Sequence, residues 1–496
     1  MPLIQVSTDA TDLVTPGRRL TDLASQRPTE TAIIELRGHG GPRFTTWAEL
    51  ETSANRLARR LAEDGVGVGD FVAIGLPTCG EHVVAAWATW KLGGCPMPVS
   101  HHAPAPERDR LLDLGKAATI VAEWDDLHGI DRDEIRSLKG DSGPRNDDAV
   151  PNPMKALASG GSTGLPKLIV TPGPFAYPEG TRPLSVLDVR DRDVVFFPGP
   201  LYHNQPFLGA HLSLYSGATI VINERFDPVA ALDAIERFGV TGTSLVPTHL
   251  SRMLRVPDIG ERDLSSLRMV LHMAAPCPES VKRAWIDLVG AEHVFEVWGT
   301  TEGVGSTIIR GDEWLAHPGS VGRTDTLLVR ILDDDGNAVL AGQVGELYTR
   351  DPGHTSRPFT YLGAPAAKQT TDGLISVGDL AWVDKDGYLY LADRRRDLII
   401  TGGANVFPAE VESAIASHPG VADVAVIGVA DEDMGQLVHA IVQPVDPSSP
   451  PLIEELDGAC RSRIASYKRP RSWEFVTALP RADNGKIRRS DLHQEG

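Results

Sequence analysis

Positive charge is scarce in this chain: 48 lysines and arginines stand against 67 aspartates and glutamates over 496 residues, a net charge of -19. Such an acidic balance argues against nucleic acid or an anionic membrane as the main partner. Cysteine is also sparse. Cys79, Cys95, Cys277 and Cys460 are widely scattered with no CxxC pair, so reduced thiols explain them better than disulfides or zinc. No apolar run approaches a membrane span, and the start, MPLIQVSTDATDLV, lacks a cationic segment followed by an apolar core. A cytoplasmic protein without an integral membrane segment is therefore expected. Internal repeats and low-complexity tracts are missing as well, which leaves a globular chain too long for one compact core and predicts at least two domains.

What the chain does have is glycine and hydroxyl residues concentrated in one place. Residues 159–167 read SGGSTGLPK, with Gly160, Gly161 and Gly164 set among Ser162, Thr163 and Lys167. Backbone N–H groups can approach phosphate oxygens closely where glycines stand, while hydroxyls and an ammonium add donors. The stretch is not a Walker A loop, because Leu165 and Pro166 separate the last glycine from Lys167 and no Ser or Thr follows that lysine. A kinase or ordinary P-loop ATPase is disfavoured. A second polar segment, ADNGKIRR at 482–489, carries Lys486 behind Gly485. Two phosphate-grade segments this far apart suggest one site assembled from two bodies.

Periodicity between them alternates. Residues 45–66 place Trp47, Leu50, Ala54, Leu57 and Leu61 at helical spacing and end at a glycine followed by the strand-like FVAIGL at 71–76. A further helix through EHVVAAWATWKLGG and strands at 118–124 and 218–223 continue an α/β pattern, whereas residues 131–153 read as an exposed loop. Beyond Arg394 the character changes: PAEVESAIASHPGV and PLIEELDGACRSRIASY read as helices, and VADVAVIGVAD and QLVHAIVQPV as strands. The last hundred or so residues form a small α+β domain on this reading, and the charged run DRRRD at 393–397 is its joint.

Two further segments complete a pattern: VWGTTEG at 297–303, and SVGDLAWVDKDGYLYLADRRRDLIITGGANVFPAEVE at 376–412. Together with SGGSTGLPK and the Lys486 segment they resemble the adenylate-forming superfamily of acyl-CoA synthetases, luciferases and peptide-synthetase adenylation domains. The motifs stand in family order across nearly the whole chain. The resemblance implies an α/β architecture with a large N-terminal multi-sheet domain (1–393), a hinge (394–397) and a small mobile C-terminal α+β domain (398–496).

It also implies roles. Ser162, Thr163, Gly164 and Lys167 would handle the β- and γ-phosphates of ATP, Thr301 the α-phosphate, and Glu302 a Mg2+ ion. Asp379 would accept the ribose hydroxyls, an acceptor-only carboxylate facing two donors, with Arg394 adding a contact. Adenine would lie between Ala274, Ala275 and Pro276 on one side and Trp298 on the other. Many relatives carry tyrosine at position 298 and serine at position 160. Lys486 would bridge the substrate carboxylate and the α-phosphate, where positive donors offset developing charge. For thioester formation the small domain would rotate about Arg396 and bring Gly402 and Gly403 to a coenzyme A channel, with Lys468, Arg469 and Arg471 near its phosphates.

His203 in LYHNQPF matches the segment that gates the acyl pocket, with Phe207, Gly209, Gly299 and Gly303 around it and Ala210 nearby. The wording of these loops favours a ligase for a large hydrophobic, bulky cyclic or steroid-like acid over acetate, and aryl acids stay open. So do a homodimer, a separate carrier protein as acyl acceptor, a luciferase-like oxygenase, and an enzyme performing only one half-reaction.

Overall fold

The structure is a computed structural model that describes residues 13–38, 41–144, 149–160, 166–183, 188–353, 357–394, 397–402, 404–431, 434–481, 487, 489 and 492. Its N-terminal helices form where the sequence is amphipathic and capped. Trp47–Glu63 starts at Thr46, whose hydroxyl accepts from Glu49 N while the Glu49 carboxylate accepts from Thr46 N, a reciprocal capping box. Leu50, Ala54, Leu57 and Leu61 of that helix are fully buried against the neighbouring helix Gly80–Lys91. The stretch 131–153 is not loop throughout. Asp131 caps a short helix, Arg132–Ser137, by accepting from Glu134 N at 2.7 Å, and Ile135 anchors it in the core. Polar composition concealed a local cap that one apolar contact was enough to fix.

The central element is an eight-stranded sheet. Its spatial order is Ser306–Arg310, Val294–Gly299, Met269–Met273, Gly242–Leu245, Val194–Phe197, Thr219–Asn223, Thr31–Leu36 and Arg43–Thr46. The interior pairs are parallel and the two edge pairs antiparallel. Helices such as Asn204–Tyr215 and Pro228–Phe238 pack on it, so the interior strands read as near-continuous apolar runs. A smaller parallel sheet joins Cys95–Pro98, Phe71–Gly75 and Thr119–Ala122. An antiparallel sheet is built around Asp379–Val383, Tyr388–Arg394 and Gly345–Arg350.

Residues from Ile399 onward pack a core of their own, in which Val406, Val411, Ile415, Val426, Val442 and Leu456 are buried together. Helices Pro408–Ala416 and Ile453–Arg461 cover a sheet whose long hairpin pairs Val421–Asp431 with Gly435–Pro444. The whole is a mixed α/β protein with a large N-terminal multi-sheet domain and a smaller C-terminal domain.

Candidate active site

In an open parallel sheet the crevice for ligands lies beyond the carboxyl ends of the strands, where the chain turns out toward a helix or loop. Strand Met269–Met273 runs out into Ala274, Ala275 and Pro276, and Val294–Gly299 into Thr300, Thr301, Glu302 and Gly303. All of these residues line one cleft of about 2100 Å3. Ala274 holds φ +77°, a left-handed conformation costing a residue with a Cβ roughly 1–2 kcal/mol. The backbone is thus turned sharply at the rim expected to carry adenine. Gly303 lines the cleft and sits at φ +67°, so the turn itself also calls for glycine there.

Trp298 and Asp379 face each other across this cleft wall. The indole Nε1 donates to Asp379 Oδ2 at 3.3 Å, and both residues are more than nine-tenths buried. Trp298 packs on Val321, Ile331 and Leu347, which fixes the ring edge-on to the carboxylate. The register Asp379↔Arg394 in the antiparallel sheet sets these two sequence-selected positions side by side.

The strands that flank the phosphate stretch pair antiparallel. Strands Lys155–Gly160 and Pro166–Thr171 pair Ser159 with Lys167 and Gly160 with Pro166. Ser162, Thr163 and Gly164 lie outside the described residues, as do Arg396, Gly403 and Lys486. Lys167 Nζ stands 3.7 Å from Glu302 Oε1 and 3.4 Å above the ring centroid of Tyr361, whose hydroxyl donates to the same Glu302 oxygen at 2.7 Å. Sequence reasoning did not find Tyr361. It lies on strand Thr360–Leu362, which reaches this carboxylate only because it pairs with Pro166–Thr171, and no motif marks that pairing.

The acyl side is shaped by helix Asn204–Tyr215, with His203 at its N-terminus beside Tyr202. Gln205, Leu208, Gly209 and Leu212 line the cleft, the spacing of one helical face. Phe207 and Ala210 lie on the other face and do not line it. Phe207 is fully buried against Trp90 and His211, so its expected place in the acyl pocket is corrected by helical phase. Gly209 also has another reason than room. A Cβ there would meet Phe197 Cε1 at 2.6 Å, so the missing side chain lets the helix seat on strand Val194–Phe197.

The C-terminal domain contributes to the same cleft through Phe407, Glu410, Gln436, Lys468, Ile487 and Arg489. Lys468 Nζ contacts both Glu410 oxygens at 2.7 Å, whereas Arg469 turns to Asp457 at 3.1 Å and does not line the cleft. Gly402 does not line it either; its N–H donates to Met434 O at 2.8 Å, and it sits at φ +55°. Arg489, within the ADNGKIRR segment but given no role from sequence, donates to Asp397 at 3.1 Å, Glu412 at 2.8 Å and the Val426 carbonyl at 3.1 Å. It ties the far end of that segment to the start of the small domain.

With the cleft and these side chains in place, the relationship to known proteins is clear. Residues 20–357 match the AMP-binding enzyme family and residues 410–486 the AMP-binding enzyme C-terminal domain. The chain belongs to the AMP-binding enzyme family. It is an adenylate-forming acid–thiol ligase. Similar curated proteins include the fatty acid–[acyl-carrier-protein] ligase ScoC of Streptomyces coeruleorubidus, 29% identical over 95% of this chain and 94% of that one. Another is the indoleacetate–CoA ligase of Aromatoleum aromaticum, 30% identical over 91% and 93% of the two chains. Among solved structures, o-succinylbenzoate CoA synthetase from Bacillus subtilis with its acyl-adenylate intermediate superimposes with TM-score 0.81, 26% identity, and 98% and 99% coverage. That enzyme has also been solved with ATP and magnesium, at TM-score 0.79, 27% identity, and 96% and 98% coverage.

Among the described residues of this AMP-binding enzyme, no helix is long and apolar enough to cross a membrane. All four cysteines are free, and burial pushes their thiols up, that of Cys460 to about 11. None is poised as a nucleophile.

Proposed function

We propose that this enzyme activates a bulky, largely hydrophobic carboxylic acid as its acyl-AMP and passes the acyl group to coenzyme A. The observation that carries the acid class is the cleft face of helix Asn204–Tyr215. With Met154, Tyr177 and Tyr202, Leu208 and Leu212 give the acyl end apolar walls of aromatic and branched side chains, beside His203. Each buried methylene adds about 0.8 kcal/mol, so such walls favour large acids over acetate.

In the first half-reaction a carboxylate oxygen attacks the α-phosphorus, the bond to the β-phosphate oxygen breaks, and pyrophosphate leaves. Two anions must meet, so the chain's part is charge and position rather than a general base. Thr301 would face the α-phosphate, and Lys486 would bridge it to the incoming carboxylate. Ser162, Thr163, Gly164 and Lys167 would hold the outer phosphates, Asp379 and Arg394 the ribose, and Ala274, Ala275, Pro276 and Trp298 the base.

Glu302 fits a magnesium site. It presents a hard carboxylate at the cleft wall, steadied on one oxygen by Tyr361, and no cluster of three or more His, Cys, Asp or Glu residues occurs among the described residues. Magnesium bound mainly through substrate phosphates needs no more than one or two protein carboxylates. Once bound, it would neutralise charge on the phosphates.

In the second half-reaction the thiol sulfur attacks the acyl carbon and AMP leaves. On this reading residues 1–393 hold ATP and acid, 394–397 with Arg396 form the hinge, and 398–496 swing Gly402 and Gly403 to the thiol channel, with Lys468 and Arg469 toward coenzyme A. Buried, unpaired thiols accord with a reducing cytoplasm. The similarity to ScoC favours a second reading, in which the acceptor is a carrier protein.

The test separates the halves. Pyrophosphate release is measured with ATP and a panel running from acetate to fused-ring acids, and thioester formation from synthetic acyl-AMP is measured with coenzyme A or a phosphopantetheinylated carrier. Bulky cyclic acids and coenzyme A are expected to win. Preference for short acids would overturn the acid class, and transfer to the carrier alone would establish the second reading.

A further inference from the structure

One hydrogen bond ties the helix beside the acyl cleft to the sheet beneath it. Gln205 Nε2, on helix Asn204–Tyr215, donates to Ser244 Oγ, on strand Gly242–Leu245, and both residues border the cleft. That bond uses up neither group. A side-chain amide also has an acceptor oxygen, and a hydroxyl that accepts can still donate. Among the described residues nothing donates to Gln205 Oε1 and nothing accepts from the Ser244 hydroxyl, although Ser244 is only 4% exposed. The neighbouring Asn204 Oδ1, enclosed at the same wall, has no protein partner either.

His249 joins this group. Val246 continues the extended backbone two residues past Ser244, so the two share a face, and both border the cleft. The Val246 N–H donates to His249 Nδ1 at 3.4 Å, which ties the imidazole to the end of the strand. With Nδ1 accepting, the proton of the neutral ring sits on Nε2, and that N–H has no acceptor among the described residues, while the ring borders the cleft. Burial keeps the ring neutral, with Arg252 adding repulsion. The site thus holds a spare acceptor on Gln205 and spare donors on Ser244 and His249. Its position is remote from the reaction. Ser244 stands opposite Leu271 and Leu271 opposite Phe295, so Ser244 is two strands, roughly 10 Å, from the strand that carries Trp298. Gly299, where that strand runs out toward Thr301, is four residues beyond Phe295, roughly 13 Å at right angles to the first displacement. One aromatic ring does not span that diagonal.

We infer that the acid carries a hydroxyl group remote from its carboxylate, on an otherwise apolar frame of more than one ring, and that Gln205 accepts from this hydroxyl while Ser244 or His249 donates to its oxygen. This rests on the bulky-acid reading above and narrows that class. A hydroxyl donates and accepts at once, whereas a ketone oxygen would leave Gln205 Oε1 unpaired. Enclosed polar groups left without partners are costly, so a site that keeps them rejects an acid lacking the matching group. The three residues set specificity and take no part in bond making.

The experiment measures pyrophosphate release with ATP on para-linked benzoic acids of one, two and three rings, each with and without a hydroxyl at the far para position. In the wild type the hydroxyl should raise kcat/KM about ten-fold or more for a two-ring or three-ring acid, chiefly through KM, and should not do so for the one-ring acid, whose hydroxyl falls short of the site. This ladder requires no variant to fold. In Gln205→Met and in Ser244→Ala the ratio between hydroxylated and bare acid should collapse toward one. Faster release from the longer acids with no gain from the hydroxyl at any length, or variants slowed equally on both members of a pair with the ratio intact, would overturn the inference while leaving the bulky-acid reading standing. Release from none of these acids, or a rate that falls with each added ring, would overturn the bulky-acid reading and this inference with it.

Discussion

Trp298 Nε1 donates to Asp379 Oδ2 at 3.3 Å, so the ring expected to stack on adenine also orients the carboxylate expected to receive the ribose. One residue would thereby steady both halves of the nucleoside site. A hydrogen bond to a charged group contributes about 1.5–3 kcal/mol. Trp298→Phe keeps an aromatic face and loses this donor. The KM for ATP should rise by about ten-fold or more, with the ranking of acids preserved. An unchanged ATP KM with a reordered acid panel would instead make Trp298 a wall of the acyl pocket.

Tyr361 and Lys167 converge on Glu302 in the same way. Removing a partner that orients a metal-binding carboxylate costs about 10–100-fold in metal affinity. Tyr361→Phe should therefore shift the magnesium concentration needed for half-maximal pyrophosphate release upward by about that factor. Saturating magnesium should restore much of the rate. A magnesium titration that superimposes on wild type would remove Glu302 from the metal or Tyr361 from its support.

Lys486→Ala should lose about 2.7–4 kcal/mol of transition-state stabilisation in adenylation, the usual consequence of deleting one preorganised donor. Thioester formation from supplied acyl-AMP should persist, because the acyl carbon is already activated. Rates for both halves on one preparation decide it: equal losses would point to a folding role for the Lys486 segment.

His82 is fully enclosed and held neutral, its ring pushed down to about 3 by burial, from an ordinary value of 6.5. Burial likewise brings His249 to about 3, with Arg252 adding repulsion. A folded-state value below the unfolded one means that stability is fully present above about 6.5 and is lost as pH falls toward 3, since unfolding takes up the protons. Calorimetric unfolding temperatures should drop across that window. His82→Leu should flatten the slope. A slope identical to wild type would assign the acid sensitivity to other groups.

The sequence by itself determined the elements and the family. Hydrophobic spacing in 45–66 and the glycine that ends it were enough to place a helix, because those forces act within a turn or two of the chain. Ordered motifs were enough to name the chemistry, since ATP imposes the same donors on any chain that handles it this way. The short helix Arg132–Ser137 escaped notice because its one buried contact, Ile135, is lost in a run of polar residues.

Only the tertiary structure decided which side chains share the cleft. Phe207 and Leu208 are neighbours in sequence, yet helical phase sends one into the core beside Trp90 and the other into the acyl wall. Tyr361 reaches Glu302 through a strand pairing that spans nearly two hundred residues, from Thr360–Leu362 to Pro166–Thr171. Such contacts are properties of packed space, which no single stretch of sequence records.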